Sequence, residues 1–270
     1  MLAIIALAAA VGAIASPVNI AATLGSRDLK QTQTWITIHE SCNVTQRRMI
    51  ERGLNETWEV VDFAQKYIKQ NGPDDPAFQL YFGTSNPRAM VNALGSYEAV
   101  MSSDKTGVVL RCDDIDGNCK FPGWRGHWRG NNATSETVIC DASYTDRRYN
   151  IEMCMKGYSL TTAAPSTYWS VDLLHRLLHV PQVTDGAVDH YTSGLAGAVQ
   201  LAKTNATYAP FDSDVLQYFA AHVYINEVVK GGDKCIGDIA ALPAPTADAH
   251  ASAAADCHTH ADGSIHCGAH

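Results

Sequence analysis

Two histidines stand four residues apart, at His175 and His179 in the sequence HRLLH. On a helix, residues four apart lie on one face, so both imidazoles can reach a single metal ion. His190 follows beside Asp189, and a chain that reverses after Pro181 would bring a third imidazole to that ion. Three protein ligands and one open position are typical of zinc, with Asp189 as a candidate additional ligand. The spacing alone is a weak signal, because such pairs also occur in helices without metal.

The C-terminal segment holds a second group of histidines. His258, His260 and His266 lie within nine residues, bracketed by Cys257 and Cys267. Tracts of this kind usually bind metal, although an affinity-tag remnant or a tail with incidental histidines would look similar. If the thiols are oxidised, the cysteines close a small ring that presents three imidazoles. If they are reduced, they are candidate ligands in a Cys₂His₂-like site, and secretion favours the ring.

The segment from His175 to Gly194 resembles the deuterolysin, or aspzincin, type of fungal zinc peptidase. There an H-E-x-x-H helix is followed by a Gly-Thr-x-Asp loop whose Asp is the third ligand, and His190 stands at the position of that Asp. More closely, the chain resembles the fungal pH-regulated antigen family, which includes a major mould allergen and secreted zinc scavengers called zincophores. The matching segments span nearly all of the mature chain: 41–48, 123–130, 132–141, 175–179, 188–191 and 257–260. The resemblance implies a deuterolysin-like zincin domain with zinc (Zn²⁺) as its metal.

The residue after the first histidine separates this chain from the peptidases. In a zincin a glutamate there takes a proton from the zinc-bound water, whereas Arg176 stays protonated near neutral pH and cannot accept one. A general base contributes about 10²–10⁴-fold, so hydrolysis would need another carboxylate, such as Asp172, Asp189 or Glu227. We therefore predict an inactive zincin, without a catalytic residue, that keeps its metal site.

The family resemblance implies capture of zinc as the function. It predicts a zincophore that scavenges extracellular zinc and returns it to a plasma-membrane zinc transporter. Because imidazole binds zinc only when neutral and titrates near about 6.5, uptake should be best at neutral to alkaline pH. Two alternatives stay open. One is a secreted zinc metallopeptidase with a displaced general base, and the other is a cell-surface antigen that binds host proteins such as complement regulators, fibrinogen or plasminogen.

The N-terminus predicts export. Residues 2–15 are apolar, are too short to span a bilayer, and end in Ala-Ile-Ala, the pattern that signal peptidase cuts. We expect a signal peptide over 1–15 and a secreted, extracellular or cell-wall protein, the alternative being an N-terminal helix packed on the domain. No later segment reaches about 18 uninterrupted apolar residues, so we expect no transmembrane anchor.

Glycosylation sequons and cysteines fit an oxidising, extracellular space. The candidate glycosylation sites are Asn43, Asn55, Asn132 and Asn205. Six cysteines are candidates for disulfides within the domain, with no pairing deducible from the sequence: Cys42, Cys112, Cys119, Cys140, Cys154 and Cys235. Cys112 and Cys119 are close enough in sequence to close a small loop.

Apolar periodicity and breakers predict an α+β domain that is mainly helical with a small sheet. The predicted helices are 45–70, 87–102, 166–180, 192–203 and 212–229, and the predicted strands are 35–38, 106–111 and 137–140. The glycine-rich stretch 113–132 is predicted as loop. We place the zincin-like domain at 16–238, an Ala/Pro linker at 239–256 and the flexible metal-binding tail at 257–270.

The net charge excludes one class of partner, and three histidines of the predicted domain lie outside the predicted metal sites. The 270-residue chain carries 20 basic and 28 acidic residues, for a net charge of −8, which argues against a nucleic-acid-binding surface. His39, His127 and His222 each stand alone, and we expect them to be structural.

Overall fold

The computed structural model describes residues 36–244 and, as backbone, two short strands at 256–259 and 265–268. The predicted signal peptide, most of the predicted linker and His260 lie outside the described residues. Ile239 and Leu242, which the predicted boundary assigns to the linker, pack against the core.

The longest element is helix α1, Val44–Asn71, which confirms the helix predicted over 45–70. It begins with a capping box: the Asn43 side chain accepts a hydrogen bond from the Gln46 amide, and the Gln46 side chain accepts one from the Asn43 amide, both at 2.9 Å. Most of its apolar stripe is fully buried, as Trp58 and Ile68 illustrate. The helix therefore forms one wall of the core.

A four-stranded sheet lies beside the helices. Its strands are β1 Ile36–Ile38, β2 Val108–Arg111, β3 Gly126–Trp128 and β4 Glu136–Ile139, in the order β1-β2-β4-β3. The first three in that order are parallel, and β3 is antiparallel to β4. The three predicted strands are confirmed. The prediction that 113–132 is all loop was wrong at β3, because strand pairing with β4 offsets the poor strand propensity of Gly126.

Three disulfides link the described domain: Cys42–Cys112, Cys119–Cys140 and Cys154–Cys235. All six predicted cysteines take part. The suggestion that Cys112 and Cys119 close a small loop was wrong, because Cys112 follows β2 and meets Cys42, which follows the neighbouring parallel strand β1. In the chain-entropy model each such bond stabilises the fold by about 3–5 kcal/mol.

The remaining α-helices of the described domain are α2 Pro76–Phe82, α3 Ala89–Ser102, α4 Asp141–Asp146, α5 Trp169–Leu178, α6 Pro181–Thr184, α7 Gly194–Thr204, α8 Ser213–Tyr224 and α9 Gly232–Ile236. Two of them, α5 and α8, lie at the centre. Every residue of α5 and of α8 is buried. At Gly53 of α1 a Cβ would lie 2.8 Å from Leu173 Cδ1, so α1 and α5 pack at close range. The two central helices are thus held on all sides.

The predicted helices are confirmed with changes at their ends. The helix predicted over 212–229 ends at Tyr224 and continues as one wide π-helical turn, Ile225–Val229. Helices α2, α4, α6 and α9 were not predicted, because they are short and carry no long apolar repeat. Within residues 36–244 the structure contains no helix long and apolar enough to cross a membrane.

Candidate metal centre

The structure brings His175, His179 and His190 together. One ring nitrogen from each lies within 4.8 Å of the other two. The ring centroids are 4.6 Å apart for His175 and His179, 5.2 Å for His175 and His190, and 4.4 Å for His179 and His190. His175 is buried and the other two are half-buried, so the cluster has an inner wall and a side that faces outward.

Helix α5 and the chain reversal after it position these rings. His175 lies on the last turn of α5 and His179 is its C-terminal cap. The short helix α6 begins at Pro181, and the chain then turns through Asp185 and Gly186, both with positive φ. The predicted reversal is therefore present, and it returns His190 to the two rings of α5.

The loop that carries His190 is fastened to the start of α8. The Asp189 amide donates to the Phe211 carbonyl at 2.9 Å, and the Ser213 amide donates to the Asp189 carbonyl at 3.0 Å. The Asp212 carboxylate accepts from the Tyr191 amide at 2.7 Å while also capping α8. Burial, and then the nearby Asp214 carboxylate, raise the pKa of Asp212. Sequence reasoning missed Asp212, whose cap pattern predicts a helix start but not the contact across to the loop.

Polar side chains of α8 contact the rings of His190 and His175. Ser213 Oγ lies 3.0 Å from His190 Nδ1. Gln217 Nε2 lies 2.9 Å from His175 Nδ1 and donates to Asp214 Oδ1 at 3.0 Å. Metal-ligating histidines donate the N–H of their second ring nitrogen to an outer acceptor. The Ser213 hydroxyl can accept from His190 in this way, whereas Gln217 can accept from His175 only through Oε1. These outer groups were also missed, since nothing in the sequence links α8 to α5.

The donor set fits a zinc ion. Zinc takes imidazole nitrogen at about 2.0–2.1 Å in a tetrahedral arrangement, which needs ligand atoms about 3.3 Å apart. The three nitrogens are within about 1.5 Å of that spacing, a gap that small rotations of the rings can close. Asp189, the candidate additional ligand, uses Oδ1 to accept from the His190 amide at 2.8 Å.

Arg176 belongs to a buried ion-pair group. Its guanidinium donates to both oxygens of Asp172, one turn earlier, at 2.9 and 3.1 Å. Asp172 also accepts from Arg147 Nη2 at 2.6 Å. Gly126 of β3 makes room for this group, since a Cβ there would stand 2.4 Å from Arg176 Nη1. The arginine therefore lies between α5 and β3.

Two of the carboxylates considered as a displaced base are committed elsewhere. Asp172 is held by Arg147 and Arg176. Glu227 lies in the π-helical turn and pairs with Lys230 at 3.2 Å. Asp189 is the remaining one of the three and is a neighbour of His190.

The isolated histidines have structural partners, as predicted. His39 Nδ1 lies 2.9 Å from Ser41 Oγ. His222 Nδ1 lies 3.0 Å from the Tyr81 hydroxyl, and burial lowers the pKa of His222 to about 4. His127 Nε2 lies 3.1 Å from Asp116 Oδ2, and burial lowers the pKa of His127.

The structure also describes two short strands of the C-terminal tail and the four predicted glycosylation sequons. Strands β5 Asp256–Thr259 and β6 Ile265–Gly268 pair antiparallel, with Cys257 opposite Cys267 and His258 opposite His266. Closure of the predicted ring stays a prediction. All four sequon asparagines are exposed, and glycan attachment stays a prediction: Asn43, Asn55, Asn132 and Asn205.

Comparison with known proteins shows the fold. The chain is similar to a zinc peptidase from Grifola frondosa, with a TM-score of 0.50 and 16% identity over 67% of this chain and 97% of that one. At this identity the likeness is one of fold, and it confirms the predicted deuterolysin-like architecture.

Sequence relatives show the family. The chain is 47% identical over 201 residues to major allergen Asp f 2 of Aspergillus fumigatus, covering 74% of this chain and 64% of the allergen, less than two thirds of its length. It is 36% identical over 201 residues to pH-regulated antigen PRA1 of Candida albicans (74% and 67%) and 35% identical over 209 residues to protein ZPS1 of Saccharomyces cerevisiae (76% and 81%). A family model described as "HRXXH: Putative peptidase family" matches residues 1–238. These matches confirm the predicted resemblance, and the chain belongs to the HRXXH family.

Proposed function

We propose that this protein is a secreted zinc-binding protein that captures extracellular zinc without hydrolysing peptides. The observation that carries the proposal is the convergence of three imidazoles on one point next to an arginine at the general-base position. The same fold serves a protein named as a zinc peptidase, which supports zinc as the metal. Zinc bound here would be held by His175, His179 and His190, with Asp189 as an additional candidate ligand.

The reason for capture rather than hydrolysis lies in Arg176. A permanently charged guanidinium cannot accept a proton from a bound water, and its bidentate pairing with Asp172 keeps both groups from that task. The residues of the site would bind and orient the ion. When bound, zinc would supply only a Lewis-acid centre with an open position.

The second proposed site is in the tail. His258, His260 and His266 would bind zinc there, with Cys257 and Cys267 either closing a ring or acting as ligands. Two imidazole-rich sites on one chain suit a scavenger, since both bind more tightly as pH rises above about 6.5. Return of the ion to a plasma-membrane zinc transporter is part of this proposal, and it rests on family resemblance.

The test is zinc content of the full-length protein after equilibration and desalting at pH 7.5. Replacing the folded site by His175→Ala/His179→Ala should remove one ion per chain, and replacing the tail site by His258→Ala/His260→Ala/His266→Ala should remove another. The matched control His39→Ala alters a half-buried histidine outside both sites and should leave the content unchanged. Unchanged stoichiometry in both multiple variants would contradict the proposal.

The zinc-peptidase fold supports one competing function, a peptidase with a displaced base at Asp189. Incubation of the zinc-loaded protein with denatured casein, with and without a chelator, separates the two. Chelator-sensitive cleavage that is lost in Asp189→Asn would favour the peptidase. Binding of host proteins stays a prediction from family resemblance.

A further inference from the structure

A second group of metal-binding side chains lies on the sheet. A ring nitrogen of His127 and the sulfur atoms of Cys119 and Cys140 all lie within 4.8 Å of one another. His127 is the middle residue of β3, and Cys140 directly follows β4, its antiparallel partner. Cys119 comes from the loop after β2 and is joined to Cys140 by a disulfide. Sheet pairing and this bond therefore fix all three groups in one place.

The His127 ring has one nitrogen that is paired and one that is not. Its side chain is 1% exposed, and Nε2 lies 3.1 Å from Asp116 Oδ2. A carboxylate only accepts hydrogen bonds, so Nε2 carries the proton and Nδ1 of the neutral ring has a bare lone pair. Within the described part of the chain, Nδ1 is buried and has no hydrogen-bond partner.

Asp116 is itself fixed. Arg129 donates to its two oxygens, from Nε at 2.8 Å and from Nη2 at 3.1 Å. A carboxylate that holds one nitrogen of a histidine while the other nitrogen faces a metal is a common outer-shell arrangement. A buried acceptor left without a partner is unfavourable, so this arrangement calls for an explanation beyond packing.

We propose that reduction of the Cys119–Cys140 disulfide converts this group into a zinc site with two thiolates and His127 as ligands and one position open. A dithiol reductant transfers two electrons and two protons to the disulfide and leaves as its own disulfide. Zinc then displaces the two thiol protons. The proposal does not depend on zinc binding at His175, because none of its ligands is shared.

Distances and access both suit this conversion. Around a tetrahedral zinc, sulfur and nitrogen ligands stand about 3.5–3.8 Å apart, which the three groups can reach once the sulfurs are no longer bonded to each other. Thiolates are the ligands that zinc prefers in closed sites. Cys119 is half-buried, and the residues after it, Lys120 and Phe121, are exposed, so a small reductant can approach from the loop side.

The consequence is a zinc capacity that depends on redox conditions. Under oxidising conditions the disulfide holds the loop to the end of β4. Under reducing conditions a zinc ion would hold the same groups, so the loop keeps its attachment and the chain gains an ion.

The experiment measures zinc per chain before and after treatment with dithiothreitol, followed by removal of the reductant without air. All chains are full-length and carry Cys257→Ser/Cys267→Ser, so that tail thiols cannot contribute. We expect one additional ion on reduction and, with cobalt in place of zinc, a thiolate-to-cobalt charge-transfer band. The matched control Cys154→Ser/Cys235→Ser lacks a different disulfide and should keep the gain.

Two variants decide the outcome. Cys119→Ser/Cys140→Ser should show no gain and no charge-transfer band. His127→Asn keeps the disulfide and should bind the additional ion at least about tenfold more weakly after reduction. A reduced parent that gains no ion, or a gain that persists in Cys119→Ser/Cys140→Ser, overturns the proposal.

Discussion

At the scale of single residues, we expect the Gln217 side chain, which contacts His175, to influence how tightly the proposed folded site binds metal. Gln217 Nε2 lies 2.9 Å from His175 Nδ1, while its Oε1 is buried with no hydrogen-bond partner among the described residues. If His175 binds zinc through Nε2, its Nδ1 must carry the proton and needs an acceptor. Turning the Gln217 amide over supplies one in Oε1 and gives up the hydrogen bond that Nε2 donates to Asp214.

We therefore expect Gln217→Met to weaken zinc binding at the folded site by about 10–100-fold while the chain stays folded. The measurement is zinc affinity by competition with a chromophoric chelator, in a chain that carries the tail substitution His258→Ala/His260→Ala/His266→Ala. Gln200→Met, at an exposed position of α7, is the control and should bind like the parent. Equal affinities of both variants would show that Gln217 does not position His175.

The sequence predicts the candidate ligands better than it predicts the side chains that contact them. His175 and His179 share a helical face by spacing, and His190 is found by comparison with the peptidase loop. Gln217 and Ser213 come from α8, which only tertiary packing brings to α5. No local pattern in a single sequence encodes such a contact.

At the scale of elements, the buried ion pairs of α5 explain what Arg176 does for the fold. Asp172 receives hydrogen bonds from both Arg147 and Arg176, and all three side chains are 6% exposed or less. Breaking a buried pair leaves charge without compensation, which is unfavourable by about 3–5 kcal/mol. Asp172→Asn should lower the free energy of unfolding by that amount.

Urea unfolding at pH 7.5 in the presence of a chelator measures this effect without a contribution from zinc. The comparison is Asp146→Asn, which removes the partner of Arg125 from a pair whose carboxylate side chain is 45% exposed. Exposed pairs contribute about 1 kcal/mol or less. Similar losses of unfolding free energy in the two variants would mean that the buried ion pairs of α5 stabilise the fold no more than an exposed pair does.

The sequence predicts an element accurately where that element carries a long apolar repeat. It fails where pairing with a distant strand determines the structure. Helix α1 is predicted by its apolar stripe and caps, within a residue or two at each end. Strand β3 lies in a glycine-rich stretch and forms only because β4 offers an antiparallel partner. The Cys42–Cys112 bond likewise follows from two parallel strand ends that the sequence does not align.

At the scale of the whole molecule, one buried histidine makes stability depend on pH in the range where the proposed zinc ligands also titrate. His222 lies in the core against Tyr81, and burial lowers its pKa to about 4. In the unfolded chain its pKa is near the ordinary value of about 6.5. Between these values the unfolded state binds a proton that the folded state does not, so stability falls as pH falls.

The stabilisation associated with His222 is fully present above about pH 6.5 and is lost as pH falls toward about 4, a difference of about 3 kcal/mol. We expect His222→Gln, which can keep a hydrogen bond to Tyr81, to show a smaller loss of unfolding free energy than the parent between pH 7.5 and pH 4.5. Urea titrations with a chelator present measure this difference. His39→Gln removes a histidine without touching the Tyr81 contact and should keep the parent's pH dependence. If the parent and His222→Gln lost the same unfolding free energy between pH 7.5 and pH 4.5, protonation of His222 would not contribute to the pH dependence of stability. Retention of zinc would then depend on protonation of the ligands alone, and the core would not take part.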